Sequence, residues 1–508
     1  MSSRTPLWIG IALVTVAVGA RAFPFVWWPN THFDSDQAVV GLMAKHISEG
    51  RAWPLYFYGQ NYMLAVEAYL AAPVMWALGA TVLALKLPLV LINIAVAVLL
   101  LWLLVGEARL SPWVALIPVL PIALPAAGIA ARTTEAMGGN VEPWLYILLL
   151  WWLRNRPFAF GATLGIGVLH REFTAYGAAA LLMMDALGLA THPDRRRWAG
   201  DRLRHWAIVG VAFVSTRVVA AALQPFASTF GPGTTAGDRA MLAATEGTLA
   251  GRACFHPDLW DTRLPQLIGD HLPRLVGGKG APLQDYGVQS GVYSGQDGLA
   301  LWVGAMTLAG VAAGGWHWWR RRTAGKGEPT THLGGYLLLV GTISTLIYGF
   351  AACTRIGPET LRYNLLGVWI PVGALVMAVQ TWRQPVVRAG FAAAVALWCL
   401  LNGLDVLALT EEYRHRTPED RRQAVANALE SRGVTSARAP FRTAYHVTFL
   451  ARERVRVAAI DYPRIRVYDE EATRSGAPTI AYRPCEGGEP LPSGQFLCQM
   501  ADQGQGAR

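Results

Sequence analysis

The residues best suited to chemistry stand together just after the first long apolar block: His32, Phe33, Asp34, Ser35, Asp36 and Gln37, followed by an apolar run from Ala38 to Ala44. A carboxylate in hydrocarbon is costly, so acids at such a boundary are either solvated or functional. Asp34 and Ser35 are also good N-cap residues for a helix running through Met43, and a solvated cap is the plain alternative. The next polar stretch carries Tyr56, Phe57, Tyr58, Gly59, Gln60, Asn61, Tyr62 and then Glu67. It is aromatic, amphipathic and interrupted by glycine, as expected of a segment lying in the membrane interface. Aromatic faces to stack on, with amides and acids to hydrogen-bond hydroxyls, are what a sugar-binding surface needs. Gln60, Tyr62 and Glu67 are therefore candidate substrate contacts, with Gln60 and Glu67 facing polar ground near the acid pair. The competing role for each ring is membership of the interfacial aromatic belt.

A second polar cluster, His170-Arg171-Glu172, interrupts an apolar stretch at 158–189. Buried polar triplets at membrane depth often line cavities, although this one has the alternative of simply ending two helices. His256, His271 and His446 have no ligand spacing. The five cysteines contain no CxxC pair. Cys399 lies in an apolar span and reads as packing, whereas Cys485 and Cys498 fall in a polar tail where an oxidising compartment would let them pair.

The elements that position these residues are read from composition. Of 508 residues, 53% are hydrophobic and 15% charged, against roughly 25% charged in soluble domains. The apolar residues fall into blocks at 7–28, 81–105, 113–131, 141–153, 158–169, 173–189, 206–223, 298–319, 333–352, 363–380 and 389–410, and a crossing takes about 20 helical residues. The expectation is a mainly α, polytopic membrane protein with about eleven spans and a small C-terminal external α/β domain. The net charge of +10 comes from short basic clusters between apolar blocks, which argues against nucleic acid and for cytoplasmic anchoring.

Placing Arg154 with Arg156, Arg195 to Arg204, Arg320 to Lys326, and Arg383 with Arg388 inside requires an even number of crossings between successive clusters. The 158–189 stretch meets that condition as two helices broken near His170. The membrane domain then occupies 1–410, with external loops at about 29–80 and 224–297, and 411–508 is external. Within that tail, Thr417 followed by Pro418, Glu419 and Asp420 predicts a helix start, and Gly433 a helix end. Runs at 455–460 and 465–468 predict strands.

The first external loop resembles that of the GT-C superfamily of membrane glycosyltransferases, which use lipid-phosphate-linked sugars. It is most similar to the bacterial group containing protein O-mannosyltransferase-like and aminoarabinose transferase-like members. An acidic pair opens that loop; Asp36-Gln37 sits where it falls, with Gln37 in place of the second acid and Asp34 just upstream. The segment around Tyr58-Gly59-Gln60, Tyr62 and Glu67 is also similar, as is Arg362-Tyr363 opening a late span.

This resemblance implies inverting transfer of a sugar from a polyprenyl-phosphate donor to an acceptor hydroxyl of a glycan, lipid or protein. The implied place is the periplasmic face of a bacterial inner membrane. Asp36 is then the base, with Asp34 second, and a magnesium or manganese ion on Asp34 and Asp36 is compatible with their hard oxygens. Arg132, Arg355 and Arg362 are candidates to hold the donor phosphate, and Arg171, beside His170, is a further cation at the substrate. Snorkelling is the plain alternative for each arginine. A polytopic transporter or lipid-linked sugar flippase, and a non-catalytic scaffold, are the competing functions.

Overall fold

The computed structural model describes residues 5–60, 63–191, 194–228, 254, 256–280, 282–283, 288–289, 297–323, 332–417 and 420–499. Helices dominate. In chain order they are α1 (Thr5–Trp27), α2 (Ser35–Ser48), α3 (Val66–Leu78), α4 (Val82–Gly106), α5 (Pro112–Ala123), α6 (Ala127–Arg132), α7 (Glu142–Leu153), α8 (Pro157–His170), α9 (Ala175–Thr191) and α10 (Arg195–Leu223). After irregular helical turns at 259–276 come α11 (Asp297–Thr323), α12 (Leu333–Phe350), a 3-10 segment (Pro358–Val368), α13 (Trp369–Thr381) and α14 (Pro385–His415).

Seven described helical segments are long and apolar enough to cross a membrane: Thr5–Trp27, Val82–Gly106, Arg195–Phe226, Gly298–His317, Leu333–Phe350, Pro358–Thr381 and Pro385–His415. Val66–Leu78, Pro112–Ala123, Glu142–Leu153 and Pro157–His170 are shorter apolar helices. The outward faces carry large apolar side chains, including Val16, Leu91, Leu203 and Leu308. Such broad apolar exposure is foreign to water-soluble monomers and points to a membrane protein.

Small residues allow close packing inside the bundle. A Cβ on Gly161 or Gly165 of α8 would collide with the Val209 carbonyl or the Thr216 hydroxyl of α10, the small-residue contact typical of helices packed in lipid. Two buried cations near the start of α2 are held by hydrogen bonds. Arg21 of α1 donates to Thr133 Oγ1 at 3.1 Å and also to Asn93 of α4. Lys86 of α4 donates to the carbonyls of Phe25 at 3.1 Å and His32 at 2.7 Å. These bonds satisfy cations that would otherwise be prohibitive in an apolar interior, and they pin the chain between α1 and α2.

The tail forms its own small sheet. Helix α15 (Arg421–Ser431) precedes strands β1 (Ser436–Ala439), β2 (Arg456–Ala459), β3 (Thr479–Ala481), β4 (Glu489–Leu491) and β5 (Gln495–Cys498), with α16 (Phe441–Leu450) and α17 (Arg466–Arg474) as crossovers. The spatial order is β2-β1-β3-β5-β4. Strand β1 runs parallel to β2 and β3, and β5 antiparallel to β3 and β4. Cys485 and Cys498 form a disulfide, and Cys399 is free and buried.

Several expectations from sequence change. Every one of the eleven apolar blocks contains helix, but 113–131 is two helices, because Leu124, which precedes Pro125, leaves helical angles and ends α5 at Ala123. The 158–189 stretch is broken at Arg171, as parity required. Residues 465–468 are not a strand: Ile465 is extended and α17 starts at Arg466, whose apolar face is supplied by Tyr468 and Ala472 at helical spacing. The tail's first helix begins at Arg421 rather than after Thr417, capped by Asp420, whose carboxylate accepts the Gln423 amide at 2.9 Å. Pro418 and Glu419 lie outside the described residues. Gly433 ends that helix with φ +70°, the left-handed conformation glycine adopts without strain.

Candidate functional site

Helix α2 places the acid pair. Asp34 has extended backbone angles and caps the helix, its Oδ1 accepting the Gln37 amide at 3.0 Å. The cap fixes the first turn, which carries Asp36 one position into the helix. Gln37 is buried and donates through Nε2 to the His32 carbonyl at 3.1 Å, the same oxygen that Lys86 holds. The second acid of the expected pair is thus replaced by an amide that fastens the turn preceding it. Burial pushes the Asp34 carboxyl up to about 7, helped by the neighbouring charges of Asp36 and Glu135.

Asp36 faces a cavity of about 510 Å³. Its walls come from five places: Asp36 on α2; Phe57, Gln60 and Met63 on the following loop; Met137; Arg171 to Phe173 with Tyr176; and the end of α12 with Arg362 and Tyr363. Across it, Arg362 Nη1 lies 3.7 Å from Asp36 Oδ2, and the two side chains are 24% and 40% exposed. Arg362 Nη2 also donates to the Tyr363 hydroxyl at 3.1 Å, and the guanidinium stacks over that ring at 5.0 Å. The arginine is thus held by an aromatic plane and faces the carboxylate without a tight hydrogen bond to it.

Four buried polar atoms of wall residues have no hydrogen-bond partner among the described residues: Gln60 Oε1, Arg171 Nε, Thr354 Oγ1 and Arg362 Nε. Unpaired polar groups are expensive where they stay dry. A wall with two guanidinium donors, an amide oxygen and a hydroxyl, set among Phe57, Phe173, Tyr176, Tyr348 and Tyr363, suits a polar ligand with an anionic end.

The other sequence-designated residues fall in different places. Tyr62 lies outside the described residues. Arg171 is on the wall, its Nη1 3.3 Å from the Met63 sulfur. Glu67, expected to face polar ground beside the acid pair, is buried instead and accepts the amides of Gly138 at 2.7 Å and Gly139 at 2.6 Å. Both glycines have positive φ, +76° and +105°, which turns two successive N–H groups toward one carboxylate. His170 is buried at the end of α8 with Nδ1 3.2 Å from the Tyr146 hydroxyl, off the cavity wall. Arg132 pairs with the buried Glu135 at 3.0 Å and is not on the wall. Arg355 is exposed, also off the wall, and its carbonyl accepts the Thr360 hydroxyl at 2.8 Å.

Sequence reading missed what builds the far wall. Arg263 reaches the carbonyls of Tyr348 at 3.1 Å, Gly349 at 2.9 Å, Ala352 at 3.1 Å and Thr354 at 2.9 Å. A buried cation therefore caps the C-terminus of α12, where carbonyls and the helix dipole both favour it. Beside it a disulfide joins Cys254 to the wall residue Cys353, 99 positions apart. Neither partner shows a motif, since both pairings join distant segments.

The tail docks on the same helix that carries Asp36. Gly41 of α2 abuts Phe449 of α16 so closely that a Cβ there would lie 2.5 Å from the ring. Glu453, buried after α16, receives Lys45 and Arg51, His46 Nε2 at 3.1 Å and the Tyr468 hydroxyl at 2.7 Å. Arg464 donates to the Gly59 carbonyl at 2.9 Å, next to wall residue Gln60.

No protein-family model matches the chain, and no curated protein matches it significantly.

Proposed function

We propose that the protein is a membrane glycosyltransferase of the GT-C type, transferring a sugar from a polyprenyl-phosphate donor to an acceptor hydroxyl with inversion. The observation that carries this reading is the Asp36 carboxylate opposite the Arg362 guanidinium at 3.7 Å on the wall of one cavity. A base and a phosphate-binding cation on one cavity are the two groups that this displacement needs, and bound substrate would part them so that each serves one face of the anomeric carbon. The acceptor oxygen attacks the anomeric carbon while its proton passes to Asp36, and the bond from that carbon to the phosphate oxygen breaks on the opposite face. The electron pair leaves with the lipid phosphate, whose growing charge is met by Arg362 and Arg171 through charge-assisted hydrogen bonds. Gln60 and the ring-lined wall hold the sugar.

Asp34 is engaged as a helix cap and Asp36 is ion-paired, and they belong to no group of three metal-type ligands among the described residues. In this reading the eleven apolar segments all cross a bacterial inner membrane, which puts the acid pair, the Arg362 segment and the C-terminal domain on the periplasmic face. Lipid donor then reaches the cavity from the bilayer.

Arg362→Gln removes the forked cation and leaves a shorter, neutral amide in its place. Loss of a charged hydrogen bond is worth about 1.5–3 kcal/mol, so binding of a polyprenyl phosphate should weaken by roughly 10- to 150-fold. Quenching of tryptophan fluorescence in detergent measures it. Equal affinity in the variant would remove Arg362 from the phosphate site.

A further inference from the structure

Behind the cavity wall a second constellation uses residues that the transfer reaction does not. Glu67 at the start of α3, Glu142 at the start of α7 and His170 at the end of α8 each present a ligand atom, and these atoms lie within 4.8 Å of one another. All three residues are at most 4% exposed. Two carboxylates this close in a dry site cannot both keep their charge unless a cation or a shared proton intervenes.

A shared proton would serve the two carboxyls, and the open nitrogen of His170 is what favours the cation. Glu67 is held rigidly by the Gly138 and Gly139 amides, and each of its oxygens retains a second lone pair. The Glu142 carboxyl, 2% exposed, lies beside its own and the Val141 backbone N–H groups and against the Glu67 carboxyl, and no cationic side chain donates to it among the described residues. On His170, the Tyr146 hydroxyl occupies Nδ1 and Nε2 is buried without a partner. An imidazole oriented through one nitrogen and open at the other is the arrangement seen in metal-ligating histidines. Three elements thus converge, with one orphaned imidazole nitrogen and two adjoining carboxyls, one of them pre-oriented.

We propose that Glu67, Glu142 and His170 bind one first-row divalent cation that braces the rear wall of the cavity. Two carboxylates and one imidazole suit manganese or zinc better than a hard, octahedral, water-rich magnesium. Ligation at about 2.0–2.2 Å brings donor pairs to roughly 3–4 Å, which small side-chain rotations achieve from the present spacing. The cation would tie α3, α7 and α8 together. Its neighbours on the wall are Arg171, which follows His170, and Met63, whose sulfur packs where a Cβ on Gly138 would stand.

The test needs no turnover and is therefore independent of the transferase reading. The purified full-length protein is treated with chelator, then titrated with Mn²⁺ and separately with Zn²⁺ while thermal unfolding and bound metal per chain are followed. The expected result is one ion per chain and a higher midpoint, with an immobilised Mn²⁺ resonance. In Glu142→Gln and His170→Ala both effects should be lost. Glu142→Gln should also keep or raise the stability of the chelated protein, since it removes one of two crowded carboxylates. Either of two results overturns the site: no stoichiometric binding of either ion, as a shared proton would give, or unchanged binding in Glu142→Gln.

Discussion

Asp36→Asn is expected to lower sugar transfer by about 10²- to 10⁴-fold, the usual worth of a positioned general base. The substitution keeps the shape of the side chain on the first turn of α2 and leaves the Asp34 cap intact. The stability cost is limited to a first-turn acid and a loose ion pair, roughly 0.3–1 kcal/mol. Binding of a polyprenyl phosphate through Arg362 should persist. Turnover, donor binding and the unfolding midpoint measured side by side separate the roles: unchanged turnover would remove Asp36 as the base, and a collapsed midpoint would make it structural. A transporter or scaffold predicts neither the size of the loss nor its restriction to the chemical step.

The second large effect is expected at Glu453, which joins the tail to α2. Burial alone would raise this carboxyl, but hydrogen bonds from His46 and Arg51, with Lys45 beside them, hold it well below its ordinary 4.5. Burial lowers the His46 imidazole from its ordinary value, and its Nε2 lies 3.1 Å from Glu453 and its Nδ1 2.9 Å from the Tyr58 hydroxyl. Glu453→Gln leaves Lys45 and Arg51 with only the exposed Glu49 as counter-charge. Breaking a buried pair costs about 3–5 kcal/mol, and the lower end applies because Arg51 is 30% exposed.

The pH dependence has a definite sign. A depressed carboxyl stabilises the folded state above its unfolded pKa, and that stabilisation is lost as pH falls below about 4.5 toward its lower native value. The wild-type tail should therefore loosen progressively below pH 4.5, seen as faster proteolysis between α14 and the tail. Glu453→Gln should be cut readily at neutral pH and show little further change over the acid range. Equal protease resistance of both proteins at pH 7 would show that the cluster does not hold the tail.

How much of this was legible in the sequence depended on how local the cause was. Apolar blocks became helices because hydrocarbon length and backbone satisfaction are properties of a continuous segment. Asp34 was readable as a cap from its neighbours alone, and Asp36 and Arg362 were both singled out before they met across the cavity. Glu67 was misplaced because its partners, two glycine amides, lie 71 and 72 positions away. Arg263, the Cys254–Cys353 bridge and Glu453 were invisible for the same reason. Their roles come from segments brought together only by folding. The strand expected at 465–468 failed because four alternating residues fit the start of an amphipathic helix as well as a strand.

The most direct measurement is incubation of the purified protein with a panel of polyprenyl-phosphate sugars and a mixed set of hydroxyl acceptors, with released lipid phosphate quantified against Asp36→Asn. Consumption of at least one donor by the wild type, with inversion at the anomeric carbon and little release by the variant, is the expected result. Failure to consume any donor, or equal release by the wild type and Asp36→Asn, would contradict assignment of the Asp36–Arg362 cavity as a glycosyl-transfer site.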